Sequence, residues 1–161
     1  MPKEKKSLEI GDTAPLFALL SDEGTEISLK ELKGRNVVLY FYPKDSTPGC
    51  TIEAQDFTKK IQEFADLDCV VLGVSKDSAA SHCKFIEKYN LAFNLLVDED
   101  TELCQKYEVL KEKSMFGKKY IGIERSTFLI NKMGKIVKIW HSVKVKGHVD
   151  EVLEVLTQEE K

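Results

Sequence analysis

The sequence predicts an α/β domain in which a central mixed β-sheet is covered by helices and preceded by a β-hairpin. Three observations carry that expectation. Asn36–Tyr42 (NVVLYFY) and Cys69–Val74 (CVVLGV) are continuous apolar runs bounded by turn residues, the pattern of strands buried on both faces. Between and after them apolar residues recur at helical spacing, and strands alternating with helices imply a sheet with helices packed over it. Ser126–Ile130 and Ile136–Trp140 bracket Asn131-Lys132-Met133-Gly134, a hairpin signal that adds antiparallel strands and makes the sheet mixed.

Taken in order, residues 1–8 read as a frayed terminus. Pro15–Leu20 and Thr25–Leu29 flank the turn Asp22-Glu23-Gly24 and form the predicted hairpin, and Ser28 can cap one helical turn over Leu29–Leu32 before Gly34. Ala54, Phe57, Ile61 and Phe64 lie on one face of a helix, with Cys50 four residues before Ala54 at the head of that face. Ser78–Asn90 is a second helix with His82, Phe85, Ile86 and Tyr89 on one side. Phe93–Val97 is a short strand, and Thr101 is a suitable N-cap for a helix to Tyr107. Lys111–Lys119 reads as a basic, solvated loop carrying Phe116. Val149, Val152, Leu153 and Leu156 mark a closing helix.

At 161 residues, without repeats, low-complexity blocks or a Pro/Ser-rich linker, residues 1–161 read as a single domain. A net charge of −3 argues against nucleic acid and anionic membranes as partners, and no apolar run approaches the roughly 18 residues of a membrane span. Met1–Ser7 is lysine-rich with no apolar run behind it, unlike a secretory signal, so a cytoplasmic location is expected. Cys50, Cys69, Cys83 and Cys104 include no Cys-x-x-Cys pair, and the three histidines make no i, i+4 pair, so neither a metal site nor another cofactor is expected. In a reducing compartment these cysteines are thiols or redox groups rather than structural bridges.

The chemistry concentrates at Pro43-Lys44-Asp45-Ser46-Thr47-Pro48-Gly49-Cys50, where the strand Asn36–Tyr42 gives way to a helix. A helix start offers unpaired N–H groups and the positive end of the helix dipole, both of which favour an anionic sulphur. A dithiol oxidoreductase would need Cys-x-x-Cys, but Thr47 and Glu53 occupy the two partner positions. A Cys-x5-Arg phosphate loop fails at Asp56.

Pro43, Thr47 and Cys50 stand as Pro-x-x-x-Thr-x-x-Cys, and FYPKDSTPGCTIEAQDF resembles the active-site segment of peroxiredoxins. The strings GVSKDSAASH, GIERSTFLI and VKVKGHVDEVL are similar to the bacterioferritin-comigratory-protein, or peroxiredoxin Q, branch. The resemblance spans Gly11 to Leu156 and implies a thioredoxin-like fold. It also implies a thiol-dependent peroxidase that reduces hydrogen peroxide and organic hydroperoxides through a Cys50 sulfenic acid. Regeneration would fall to thioredoxin or a similar dithiol protein. By the same resemblance Cys50 is the peroxidatic cysteine, Thr47 and Pro43 shape its pocket, and Arg125 faces it. Glu53 supports Arg125 or caps the helix, and Tyr42 lines the pocket. The branch is often monomeric, and a monomer is expected.

Many members of the branch carry a resolving cysteine five residues after the peroxidatic one, where this chain has Gln55. Some place it on the following helix, where Cys83 lies one turn before the matching position. Three routes therefore stand open: Cys83 as resolver, an external thiol, and Cys104 or an intermolecular bridge. A peroxide sensor or holdase using the same thiol is the alternative function. The lysines at 111, 113, 118 and 119 would suit an acidic reductant.

Overall fold

The computed structural model describes residues 7–161. The elements run β1 (Ala18–Leu20), β2 (Glu26–Ser28), a 3₁₀ turn at Lys30–Leu32, β3 (Asn36–Phe41), α1 (Pro48–Lys59) and α2 (Ile61–Asp66). There follow β4 (Cys69–Ser75), α3 (Ala79–Tyr89), β5 (Asn94–Val97), α4 (Glu102–Lys106), β6 (Leu110–Met115) and β7 (Lys118–Ile123), then β8 (Ser126–Ile130), β9 (Ile136–Trp140) and α5 (His148–Glu159). Five strands form the central sheet in the order β5-β4-β3-β8-β9. The β3, β4 and β5 strands are parallel, while β8 pairs antiparallel with both β3 and β9, so the sheet is mixed as expected.

Every residue of β3 is buried, which is why its sequence is apolar without alternation. Successive side chains point to opposite faces. Val37, Leu39 and Phe41 join one core cluster with Phe128, Leu103, Cys104 and Tyr107. Val38, Tyr40 and Tyr42 join the other with Cys50, Phe57, Phe64, Phe85 and Val152. Fully burying a ring such as Phe57 contributes roughly 2–3 kcal/mol. The sheet thus separates Cys104 from Cys50. The β1–β2 hairpin covers the outer edge of β5 through the Ser21–Leu96 bridge and the Asp22 N–H to Leu95 carbonyl bond, which removes an open strand edge.

Five expectations are corrected. Residues 1–6 of the supposed frayed terminus lie outside the described residues, but Leu8 is held, donating its N–H to Glu108 and packing against the first core cluster. The 3₁₀ turn has Leu29, not Ser28, at its N-cap position, although the Ser28 hydroxyl does accept from Glu31 N–H. The helix expected to run from Cys50 through Phe64 breaks at Lys60, whose φ of −103° and ψ of 5° leave the helical range. Its N–H closes on the Phe57 carbonyl, and the tightened turn keeps Phe57 and Phe64 together with ring centroids 5.8 Å apart. Thr101 is the N-cap residue of α4 by position only. The capping is done by Asp98, whose carboxylate accepts from the N–H groups of Leu103 and Cys104. Finally, Lys111–Lys119 is not a loop: β6 and β7 pair antiparallel across a two-residue turn at Phe116-Gly117.

Candidate active site

The loop after β3 and the start of α1 build the site. Pro48 at the first helical position has no N–H to lose, and Thr47 before it is extended (φ −79°, ψ 154°). Thr47 is an N-cap residue that does not cap. Its hydroxyl donates to the Lys44 carbonyl at 2.8 Å instead, leaving the first-turn N–H groups of Gly49 and Cys50 for an anion. Ser46 holds a left-handed conformation (φ 62°), a local cost of about 1–2 kcal/mol that the loop retains.

Cys50 and Glu53, three residues apart, share one face of α1. The guanidinium of Arg125 bridges them: Nη1 donates to Glu53 Oε1 at 2.7 Å and Nη2 to Cys50 Sγ at 3.4 Å. Arg125 comes from the two-residue connection between β7 and β8. Gly49 makes room for it, since a Cβ there would lie 3.1 Å from Nη2. Cys50 is 1% exposed and Glu53 0%. Burial raises the Glu53 carboxyl to about 7 against the lowering charge and hydrogen bond of Arg125. Burial also opposes the charge of Arg125, but Glu53 and Cys50 outweigh it and raise its pKa. His148 goes down to about 4, through burial and then the charge of Arg125, so the imidazole is neutral and adds no second cation.

Sequence reasoning singled out Pro43, Thr47, Cys50, Glu53, Tyr42 and Arg125. Cys50, Glu53 and Arg125 are in direct contact, and Pro43 is half-buried just ahead of the Lys44–Thr47 turn. With its hydrogen committed to Lys44, Thr47 is free to accept a proton donor but does not donate to sulphur. The Tyr42 hydroxyl turns to Asp45 (2.6 Å) rather than toward Cys50. Tyr40, which had not been singled out, packs beside the site instead. Gly73 admits its ring, since a Cβ there would lie 3.0 Å from the hydroxyl. The charges of Glu53 and Cys50 add to burial in raising the Tyr40 pKa well above 10.

Asp45 was missed altogether. It is buried at 6% exposure and gathers Tyr42, Ser81 Oγ (2.8 Å) and His82 Nδ1 (2.7 Å). His82 Nε2 lies 2.9 Å from the Leu96 carbonyl, which only accepts, so Nε2 donates there, and with Nδ1 facing the Asp45 carboxylate the arrangement favours the imidazolium. Burial opposes that charge, but the hydrogen bond and charge of Asp45 outweigh it and raise the pKa. This latch ties the loop that carries Cys50 to α3, which carries Cys83.

The other thiols differ sharply. Cys69 is pushed up to about 12 and Cys104 higher still, both chiefly by burial. Cys83 is exposed, and its thiol donates to the Asp22 carbonyl at 3.0 Å, beside the β5 edge. Two strand spacings, roughly 10 Å, separate that edge from β3. A cleft of about 350 Å³ lined by Leu16, Leu29, Lys33, Arg35 and Met133 shares none of these site residues.

Fold and site together define a class: a thioredoxin-like thiol peroxidase, with a buried cysteine at a helix start facing a guanidinium. Residues 10–139 match the AhpC/TSA family, and the chain belongs to that family. Within it the similarity is to the bacterioferritin-comigratory-protein, or peroxiredoxin Q, branch. Peroxiredoxin Bcp of Bacillus subtilis is 53% identical over 93% of this chain and 96% of its own. The Xanthomonas campestris bacterioferritin comigratory protein, solved as a trapped intermediate/ligand complex in connection with alkyl peroxide reduction, superposes with a TM-score of 0.86 at 46% identity, over 90% of this chain and 92% of its own. Xylella fastidiosa PrxQ superposes with a TM-score of 0.92 at 40% identity, over 98% of this chain and 100% of its own.

Proposed function

We propose that Cys50 is the peroxidatic cysteine of this thiol-dependent peroxidase and that it reduces hydrogen peroxide and organic hydroperoxides, alkyl hydroperoxides included. The observation that carries this reading is the Arg125 fork, one nitrogen on the sulphur and the other on Glu53. The Cys50 thiolate attacks the terminal oxygen of the peroxide, the S–O bond forms as the O–O bond breaks, and the alkoxide or hydroxide leaves and takes up a proton. Arg125 is always cationic and spans the charge on both the sulphur and the departing oxygen. The N–H groups of Gly49 and Cys50 and the acceptor lone pairs of Thr47 orient the substrate. Pro43 shields the resulting sulfenic acid from further oxidation.

The sulfenic acid then condenses with a second thiol, giving a disulfide and water, and thioredoxin or a similar dithiol protein restores both thiols. Among the three free cysteines besides Cys50, Cys83 is the exposed one, whereas Cys104 is buried across the sheet, so Cys83 is the proposed resolving residue. Bridging it to Cys50 requires movement, because Cα atoms more than ~7 Å apart do not support a disulfide. The separation of Cys83 from β3 also favours a second reading, in which an external thiol attacks Cys50 directly. The covered β5 edge supports a monomer, and four unpaired thiols suit a reducing, cytoplasmic setting.

Mass spectrometry after one equivalent of peroxide tests the sequence of steps. A Cys50–Cys83 disulfide is expected, a persistent Cys50 sulfenic acid supports the external route, and oxidation confined to other cysteines overturns the assignment of Cys50.

A further inference from the structure

The β6–β7 ribbon is costly to build as it stands. Its two-residue turn places both Phe116 (φ 53°) and Gly117 (φ 77°) in the left-handed region, as a type I′ hairpin requires. Asparagine is the residue that suits the first of these positions, and phenylalanine there is strained. Packing does not offset that cost, because Phe116 is 97% exposed and none of the ring contacts among the described residues involves it. Met115, Tyr120 and Ile121 on the same ribbon are also exposed.

In a chain whose net charge is −3 the ribbon carries Lys111, Lys113, Lys118 and Lys119 against Glu112, with Lys119 paired to Glu112 at 3.5 Å and Lys111 paired to Glu124 just beyond β7. Residues directly opposite in the antiparallel register share a face. One face therefore carries Lys111, Lys113 and Met115 together with Gly122, Tyr120 and Lys118. That face adjoins the active site. Lys113 is half-buried, its ammonium donates to the Ile123 carbonyl at 2.7 Å, and Gly122 leaves room for its stem, since a Cβ there would lie 3.0 Å from Lys113 Cδ. Burial and then the charge of Arg125 lower its pKa, while Cys50 opposes the shift. The ribbon also leads directly into Arg125 through Glu124.

We propose that the β6–β7 ribbon is the docking surface for the dithiol protein that regenerates the enzyme, an acidic partner with an apolar rim that receives Phe116 and Tyr120. This rests on the regeneration step argued above. In that step the two thiols of the partner become a disulfide as the Cys50–Cys83 disulfide becomes two thiols, so electrons and protons balance. An exposed aromatic anchor supplies the contact, and the lysines speed encounter with an acidic surface. A ribbon that served only as a solvated edge would need neither the strained ring nor the excess of lysine.

Peroxidase turnover at saturating peroxide, driven in parallel by thioredoxin and by dithiothreitol, tests the proposal. Phe116→Asn suits the left-handed turn and removes the ring. It is expected to lower kcat/KM for thioredoxin about tenfold while dithiothreitol-driven turnover stays within about twofold of wild type. Lys118→Glu, which reverses a charge on the face that adjoins the active site, is expected to lower kcat/KM for thioredoxin about fivefold, and raised salt should narrow its difference from wild type. Unchanged kcat/KM for thioredoxin in both variants overturns the proposal. So does equal loss with both reductants, which makes the ribbon a support of the site. A wild-type enzyme active with dithiothreitol but not thioredoxin removes this partner, and one inactive with both overturns the peroxidase reading itself.

Discussion

Cys50 lies on α1 and Cys83 on α3, and the Asp45–His82 latch ties the loop before α1 to α3, yet the surroundings of the two thiols are opposite. Cys50 is 1% exposed, held against a guanidinium that is itself held by a buried carboxylate. Cys83 lies in solvent with its thiol turned to a backbone carbonyl beside the far edge of the sheet. The contrast separates two kinds of design. The peroxide step needs charges fixed before the substrate arrives, because a preorganised dipole or cation costs no reorganisation during the reaction. The regeneration step needs a thiol that a sulfenic acid or a partner can reach, and rigidity there is a hindrance. The His82–Asp45 pair lies where the two demands meet, since it holds the Cys50 loop and the Cys83 helix in their reduced arrangement.

The largest expected effect breaks the Cys50 side outright. Cys50→Ser removes the proposed nucleophile, and turnover with any peroxide in a coupled assay should fall to background. Next comes Arg125→Ala, for which stopped-flow measurement should show the peroxide step slowed about 10²–10³-fold, with far-UV circular dichroism unchanged. Unchanged kinetics would remove the guanidinium from the reaction.

His82→Ala acts on the latch. Removing one partner of a buried ion pair leaves Asp45 charged and uncompensated, and urea unfolding should register a loss of about 3 kcal/mol. The same pair predicts a pH dependence. The folded-state pKa of His82 is raised above 6.5, so its contribution is complete below about pH 6.5 and is lost as pH climbs through the raised value. Unfolding titrations of wild type and His82→Ala should therefore converge with rising pH, and curves that stay parallel would count against a charged imidazole. The smallest effect falls on the Cys83 side. Cys83→Ser should leave the peroxide step within about twofold of wild type while abolishing the intramolecular disulfide. A slowed first step would mean that the two regions are not separable.

Much of this division was legible in the chain. The buried strands announced themselves because a strand covered on both faces has no polar side to show, and β3 and β4 were read almost to the residue. The β6–β7 ribbon was misread as a loop because KEKSMFGKK has neither apolar alternation nor a favoured turn pair, and its strands exist through pairing with each other. The split between α1 and α2 was hidden because the apolar spacing runs on through Lys60, and one changed pair of dihedrals leaves no trace in residue type. Within the site, Arg125 in isolation reads as a surface charge, and nothing in the sequence pointed to Asp45, Tyr40 or the space left by Gly49.

The amino-acid sequence by itself determined the strands of the central sheet and the helices between them, the cysteine at a helix start, and the residue types able to perform a peroxide reduction. Those are properties of local pattern and of side-chain chemistry. Only the tertiary structure decided that Arg125 reaches both Cys50 and Glu53, that Thr47 forgoes its cap, and that Cys104 lies across the sheet while Cys83 faces solvent. Each of these depends on segments far apart in the chain meeting in space, and on which face of a strand or helix turns inward, and that is settled by packing.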